Sequence, residues 1–378
     1  MTTHVLIVDD KTFPIHLQYM FAGTGSKDKI INPIVNNTSH SINHATEAGL
    51  VSMIADSSRI RKGDFIIFYL QQSQEHEGMF FGIFQAINDG VFAEENNENQ
   101  YLRGELEKSL TFRFLIKPFE VYPKGVTEWE ALDVIRGLQS PNQMLWSLIY
   151  RKLKANRGNT MITIYEAERL FELIRNKNNR IKLSGEHFRF ENQQISEAQS
   201  TNSYTGNQPY IDLLPRLINK YKSNKSHEAH LQAYILNTVG KGINKSLDDS
   251  INITNLEWIG NEVSCGVGMQ RIDILLSQNI SNIEREILPI ELKCVPAEHN
   301  TVYQLIRYVD WLEQYYIPNR QSRIQPILIC KKQNLVLDPI ILQSFESFDN
   351  IMNGRCLPVK YIEYFINEQN NIVFERIK

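Results

Sequence analysis

Residues 270–276 read QRIDILL and residues 287–295 read ILPIELKCV; how these two runs fold decides the C-terminal half of the chain. Both are apolar enough to be buried strands. Side chains alternate faces along a strand, so Glu291 and Lys293 point one way and Ile290 and Leu292 the other. Asp273 lies between Ile272 and Ile274 and breaks an apolar strand. A charge there is costly unless it is paired or bound to metal. If the two strands are neighbours, Asp273 and Glu291 meet at one rim of the sheet.

Working outward, SHEAHLQAYILNTVG from Ser226 is expected to be a helix, with the serine as its N-cap and Glu228 in its first turn. YIDLLPRLINKYK before it predicts another helix, and LEWIGNEVS a further strand. TVYQLIRYVDWLEQYY downstream has helical spacing and places Gln304 and Tyr308, four apart, on one face. RIQPILICKK reads as a buried strand, and the tail from about Leu335 as a helix and a strand pair. This order predicts an α/β (α+β) fold in which a mixed sheet is flanked by helices.

Two hard carboxylates at one rim suit Mg²⁺, with Mn²⁺ able to substitute. The ion would polarise a phosphate and acidify a bound water, and Lys293 would neutralise phosphate charge or orient that water. An E-x-K pair on its own is common, and most such pairs are a solvated face carrying a surface ion pair. His227 and His230 flank Glu228 but fall to the sides of their helix, and no HxH or HExxH spacing occurs.

Taken together, SHEAHLQAYI, LEWIGNEVSCGVGMQRIDILL, ILPIELKCV and TVYQLIRYVDWLE, within residues 226–332, resemble the PD-(D/E)xK nuclease superfamily and, within it, the NucS (EndoMS) type of domain. The resemblance implies a restriction-endonuclease-like fold. It also implies catalytic roles for Glu228, Asp273, Glu291, Lys293, Gln304 and Tyr308, with Asp273, Glu291 and Glu228 as metal ligands. Residue 272 is Ile where the superfamily's name has Pro.

The first half reads as strand-rich, with strands expected at residues 4–8, 65–70, 79–87 and 110–116 and helices from about Asn142 and Ile162. RIRKGDFIIFYL, GMFFGIFQAI and FRFLI loosely resemble the EVE and wider PUA-like β-barrels, some of which hold a flipped base between aromatics. That implies a DNA-reading unit over residues 1–175. Phe13, Tyr122 and Trp129 are its candidate stacking residues, and Arg59, Arg61, Lys62, Arg151 and Arg157 its candidate phosphate contacts. Residues 176–210 contain a stretch rich in Gln, Asn, Ser and Thr and are expected to be a linker or mobile loop. The nuclease unit is expected over 211–378.

The 378 residues allow two or three domains. A hydrophobic fraction of 42% without a run of roughly 20 apolar residues excludes a membrane-spanning helix. MTTHVLIVDD has no basic segment ahead of an apolar run, which argues against a secretory signal, so a cytoplasmic location is expected. The four cysteines show no CxxC pairing and read as reduced thiols. A net charge of −3 requires any DNA contact to be a local basic surface. The expected function is a restriction-type endonuclease acting on double-stranded DNA as a homodimer. A mismatch- or branch-directed repair nuclease and a non-catalytic DNA-binding protein are the alternatives.

Overall fold

The structure, a computed structural model, describes residues 1–25, 44–94, 98–133, 137–150, 158–199, 202–265, 270–333 and 338–378. It is a mixed α/β protein of two compact units, Met1–Asp212 and Leu213–Lys378. Among the described residues no helix is long and apolar enough to cross a membrane.

The first unit runs β1 (Thr3–Val8), α1 (Thr12–Tyr19), β2 (Phe21–Thr24), α2 (His44–Ser58), β3 (Phe65–Leu70), β4 (Met79–Ala86), β5 (Phe92–Ala93) and α3 (Arg103–Leu106). It continues with β6 (Phe112–Pro118), β7 (Val126–Thr127), α4 (Glu128–Leu132), α5 (Trp146–Tyr150), β8 (Asn159–Ile162), α6 (Ile164–Lys177) and the hairpin β9 (Phe188–Glu191) to β10 (Gln194–Glu197). The sheet order is β2-β6-β4-β3-β1-β8. Strand β1 pairs with β3 in parallel, which requires a long crossover and explains why α2 lies between them in sequence.

The apolar run FIIFYL is continuous because both faces of β3 are covered. Ile66, Phe68 and Leu70 enter one core with Phe13 and Leu17 of α1. Ile67 and Tyr69 enter a second with Leu170, Phe171 and Ile174 of α6. The expected small barrel is corrected in one respect: the sheet is a half-barrel with a core on each face, and among the described residues nothing pairs β2 with β8 to close it.

The expected linker is corrected as well. Part of 176–210 forms the β9–β10 hairpin, whose Phe188 and Ile195 are buried in the α1-side core. Asn192 and Gln193, at φ 51° and 58°, form its two-residue turn, where both central residues need positive φ.

The second unit contains α7 (Leu214–Lys222), α8 (Glu228–Thr238), α9 (Lys245–Ile251), β11 (Asn255–Ser264), β12 (Arg271–Asn279), β13 (Arg285–Lys293) and α10 (Gln304–Trp311). It ends with β14 (Arg323–Ile324), β15 (Ile327–Lys331), α11 (Pro339–Ile351), β16 (Lys360–Ile366) and β17 (Ile372–Arg376). The sheet order is β11-β12-β13-β15-β16-β17, with β14 beside β13. Strands β11 to β13 form an antiparallel meander, and β13, β15 and β16 run parallel. Helices cover both faces. Tyr361 meets Phe345 of α11 with ring centroids 4.9 Å apart. Tyr364, three residues later and so on the other face, meets His227 at the start of α8.

Candidate active site

The β12–β13 ladder runs from Asn279↔Arg285 to Ile274↔Ile290 and then stops. At the next step the Asp273 side chain replaces the backbone acceptor: its Oδ2 takes the Leu292 N–H at 2.8 Å. The strands therefore part at the point where the sequence places its acids. Leu292, fully buried, anchors β13, and its neighbours Glu291 and Lys293 turn to the other face.

Glu291 is 3% exposed and has both oxygens engaged. Lys293 donates to Oε1 at 2.5 Å, and the Tyr308 hydroxyl donates a short bond to Oε2. Tyr308 also lies 2.9 Å from the Arg271 carbonyl. Gln304 opens α10 one turn earlier on the same face, and the bonds from this helix to the acids run through Tyr308. Glu228, the first residue of α8, reaches the same rim and interacts with Lys293 and the Cys294 N–H.

Two residues that the sequence did not single out belong to this cluster. Gln232, one turn after Glu228, donates to the Asp273 carbonyl at 2.8 Å and to Glu262 at 3.4 Å. Glu262 is held at φ 50° near the end of β11 and is paired with Arg271 at 2.8 Å. The sequence carried a signal for Gln232, since E-x-x-x-Q places two polar groups on one face of a buried helix. It carried none for Glu262, whose inward aim depends on a left-handed backbone position that a non-glycine residue rarely adopts.

Burial and the neighbouring Glu291, Glu228 and Glu262 carboxylates push the Asp273 carboxyl well above its usual range, against the Leu292 N–H. Burial also raises Glu228, with Lys293 opposing. For Lys293, burial acts downward, but Glu291, Glu228 and Asp273 outweigh it and hold the ammonium above its ordinary value. The Cys265 thiol nearby is pushed up to about 12 by burial, so it stays protonated. Four acids thus face Lys293 and Arg271, and the excess negative charge suits a cation. Among the described residues no group of three such side chains stands placed to hold a metal ion, and Glu291 is engaged by Lys293 and Tyr308. In donor chemistry Asp273, Glu291 and Glu228 fit a hard divalent ion.

The expected Ser226 cap is corrected. His227 occupies the N-cap position of α8, and its ring bonds the Lys225 carbonyl and the Tyr364 hydroxyl, both at 2.8 Å.

In the first unit, Phe13 and Tyr122 were expected to be stacking platforms but are core residues. Phe13 is fully buried against Phe68, Phe81 and Phe190, and Tyr122 is 3% exposed with its hydroxyl on Glu120. Arg59 is likewise no phosphate contact: it is fully buried, bonding Asp56 and Asn159 at 2.9 Å each. Arg59→Ala is expected to lower stability by about 3 kcal/mol, by leaving Asp56 buried without its counter-charge. Urea unfolding measures this, and an unchanged midpoint would refute it. Arg61 is half-buried, Lys62 exposed, and Trp129 is 67% exposed beside Val126 and Leu173. Arg151 and Arg157 lie outside the described residues.

No protein-family model matches the chain, and no curated protein matches it either.

Proposed function

We propose that this chain is a Mg²⁺-dependent endonuclease with a restriction-endonuclease-like second unit, hydrolysing phosphodiester bonds in double-stranded DNA as a homodimer in the cytoplasm. Target choice, by sequence or by base modification, is assigned to the first unit. The observation that supports this reading is the parting of β12 and β13 at Asp273, where three acids and one ammonium from different elements converge.

Asp273, Glu291 and Glu228 would hold the ion, which supplies Lewis acidity toward the scissile phosphate and a more acidic bound water. Lys293 carries its charge against the phosphate or orients the attacking water, and its proton is held by the acids around it. Tyr308 fixes the free rotation of Glu291, and Gln232 fixes the Asp273 backbone. A repair role and a purely binding role predict different outcomes for the same experiment. Supercoiled plasmid, modified and unmodified, incubated with the protein and Mg²⁺ is expected to become nicked or linear. Lys293→Ala is expected to slow this by about 10²–10³-fold. Cleavage confined to mismatched duplex would favour repair. Duplex binding without any cutting in Mg²⁺ or Mn²⁺ would sink the nuclease reading.

A further inference from the structure

The rim formed by the C-terminal ends of β13, β15 and β16 carries a second feature that the acids do not use. Lys293 is paired in register with Cys330, and Lys331 and Lys332 follow directly. Lys331 packs over the Tyr221 ring at 4.3 Å and bonds the Asn224 side chain at 3.0 Å. Lys332 lies over Phe365 at 4.4 Å and reaches Glu375 at 2.8 Å. Lys222 and Lys225, both exposed, lie at the end of α7 and in the turn after it. Four ammonium groups thus lie on this rim, beside Glu375 and the acids around Lys293, in a chain of net charge −3.

The lysines are not free tethers. Lys331 and Lys332 each sit on an aromatic face and one polar anchor, so less side-chain entropy remains to be lost on binding. A positive field built beside the entrance to an acidic site suits a partner whose negative charges are regularly spaced. A like-charged cleft would otherwise repel that partner.

We infer that the surface formed by Lys225, Lys331 and Lys332, with Lys222 at its edge, binds the phosphodiester backbone of duplex DNA flanking the bond to be cut. This rests on the nuclease reading but can fail separately from it. The DNA-gripping surface of this unit is then its own, rather than delegated to the first unit.

The test is fluorescence anisotropy of the full chain with a labelled duplex in EDTA, where nothing is cut, across a series of salt concentrations. Lys225→Gln, Lys331→Gln and Lys332→Gln combined are expected to flatten the slope of log K against log salt by about 2.7, roughly 0.9 per lysine. At about 0.1 M salt the Kd should rise at least roughly tenfold. Lys331→Gln alone, expected to flatten the slope by about 0.9, keeps the test open if the triple variant does not fold. An unchanged slope and Kd would overturn the surface, as would equal binding to polyglutamate. If the wild type shows the steep slope but never cuts DNA, the surface stands and the nuclease reading falls. If the triple variant cuts and binds like wild type, the reverse holds.

Discussion

Asp273→Asn is expected to lower Mg²⁺-dependent cleavage by about 10³-fold while making the metal-free protein more stable at neutral pH. The asparagine keeps an oxygen for the Leu292 N–H, so the parted strands stay pinned. What it removes is one of four crowded negative charges, and with it the repulsion and burial that push the Asp273 carboxyl upward. Because the folded pKa lies above the unfolded one, the folded state binds the proton more tightly. In wild-type protein the resulting cost to stability is present at neutral pH and is relieved as pH falls through the raised pKa. The gap between wild type and Asn variant should therefore narrow on acidification. Thermal melts without divalent ions should show the variant roughly 2–4 °C higher at pH 7 for each kcal/mol of relief. Adding Mg²⁺ should raise the wild-type melting temperature through mass action and leave the variant nearly unmoved. A variant that melts lower than wild type and still cuts DNA would remove the basis for treating Asp273 as a ligand.

Asp64→Ala is expected to destabilise the first unit by about 3 kcal/mol, a sizeable fraction of the roughly 5–15 kcal/mol by which a folded domain is stable. Asp64 is 3% exposed. Its Oδ1 accepts the Thr2 N–H at 2.9 Å, and its Oδ2 accepts the Arg61 N–H at 2.9 Å and contacts His4 Nε2 at 3.0 Å. One carboxylate thus joins the start of β1 to the turn leading into β3, and Gly63, at φ 90°, allows that turn to close. Alanine takes the acceptor from all three donors at once. Asp64→Asn, which keeps one oxygen, should lose less. Urea titration followed by tryptophan fluorescence and far-UV circular dichroism reads the difference. Equal midpoints for wild type and Ala would show that the turn holds without the carboxylate. The R-K-G-D segment is thus explained by local architecture, whatever the first unit recognises.

The site was legible in the sequence to the extent that it obeys period-2 alternation and helical i, i+4 spacing. Asp273, Glu291 and Lys293 announce themselves because a charge in an apolar strand demands a reason, and Tyr308 because it falls on the helix that follows. Glu262 does not announce itself, and Gln232 does so only through its spacing of four from Glu228. One needs a strand position bent to positive φ, the other a carbonyl from a strand more than forty residues away to give its amide a partner. The first unit was less legible for the same reason. Phe13, Tyr122 and Arg59 have the chemistry of DNA contacts, and only the packing around each reveals that the aromatics are core and the guanidinium is satisfied internally. The hairpin in the expected linker stayed hidden because its strands are four residues long, and each buries a single large side chain deeply.

By itself the sequence determined which segments are strands and helices through most of the second unit, and which charges could not be idle there. Local periodicity encodes both, because a buried face must repeat with the geometry of the element that carries it. Only the tertiary structure decided that β12 and β13 separate at Asp273, that Glu262 joins the acids, and that Lys331 and Lys332 share their rim. It also decided that the first sheet stays a half-barrel, with both faces covered. Those facts depend on register and on which faces are covered, and both are settled by long-range packing that no short window of residues contains.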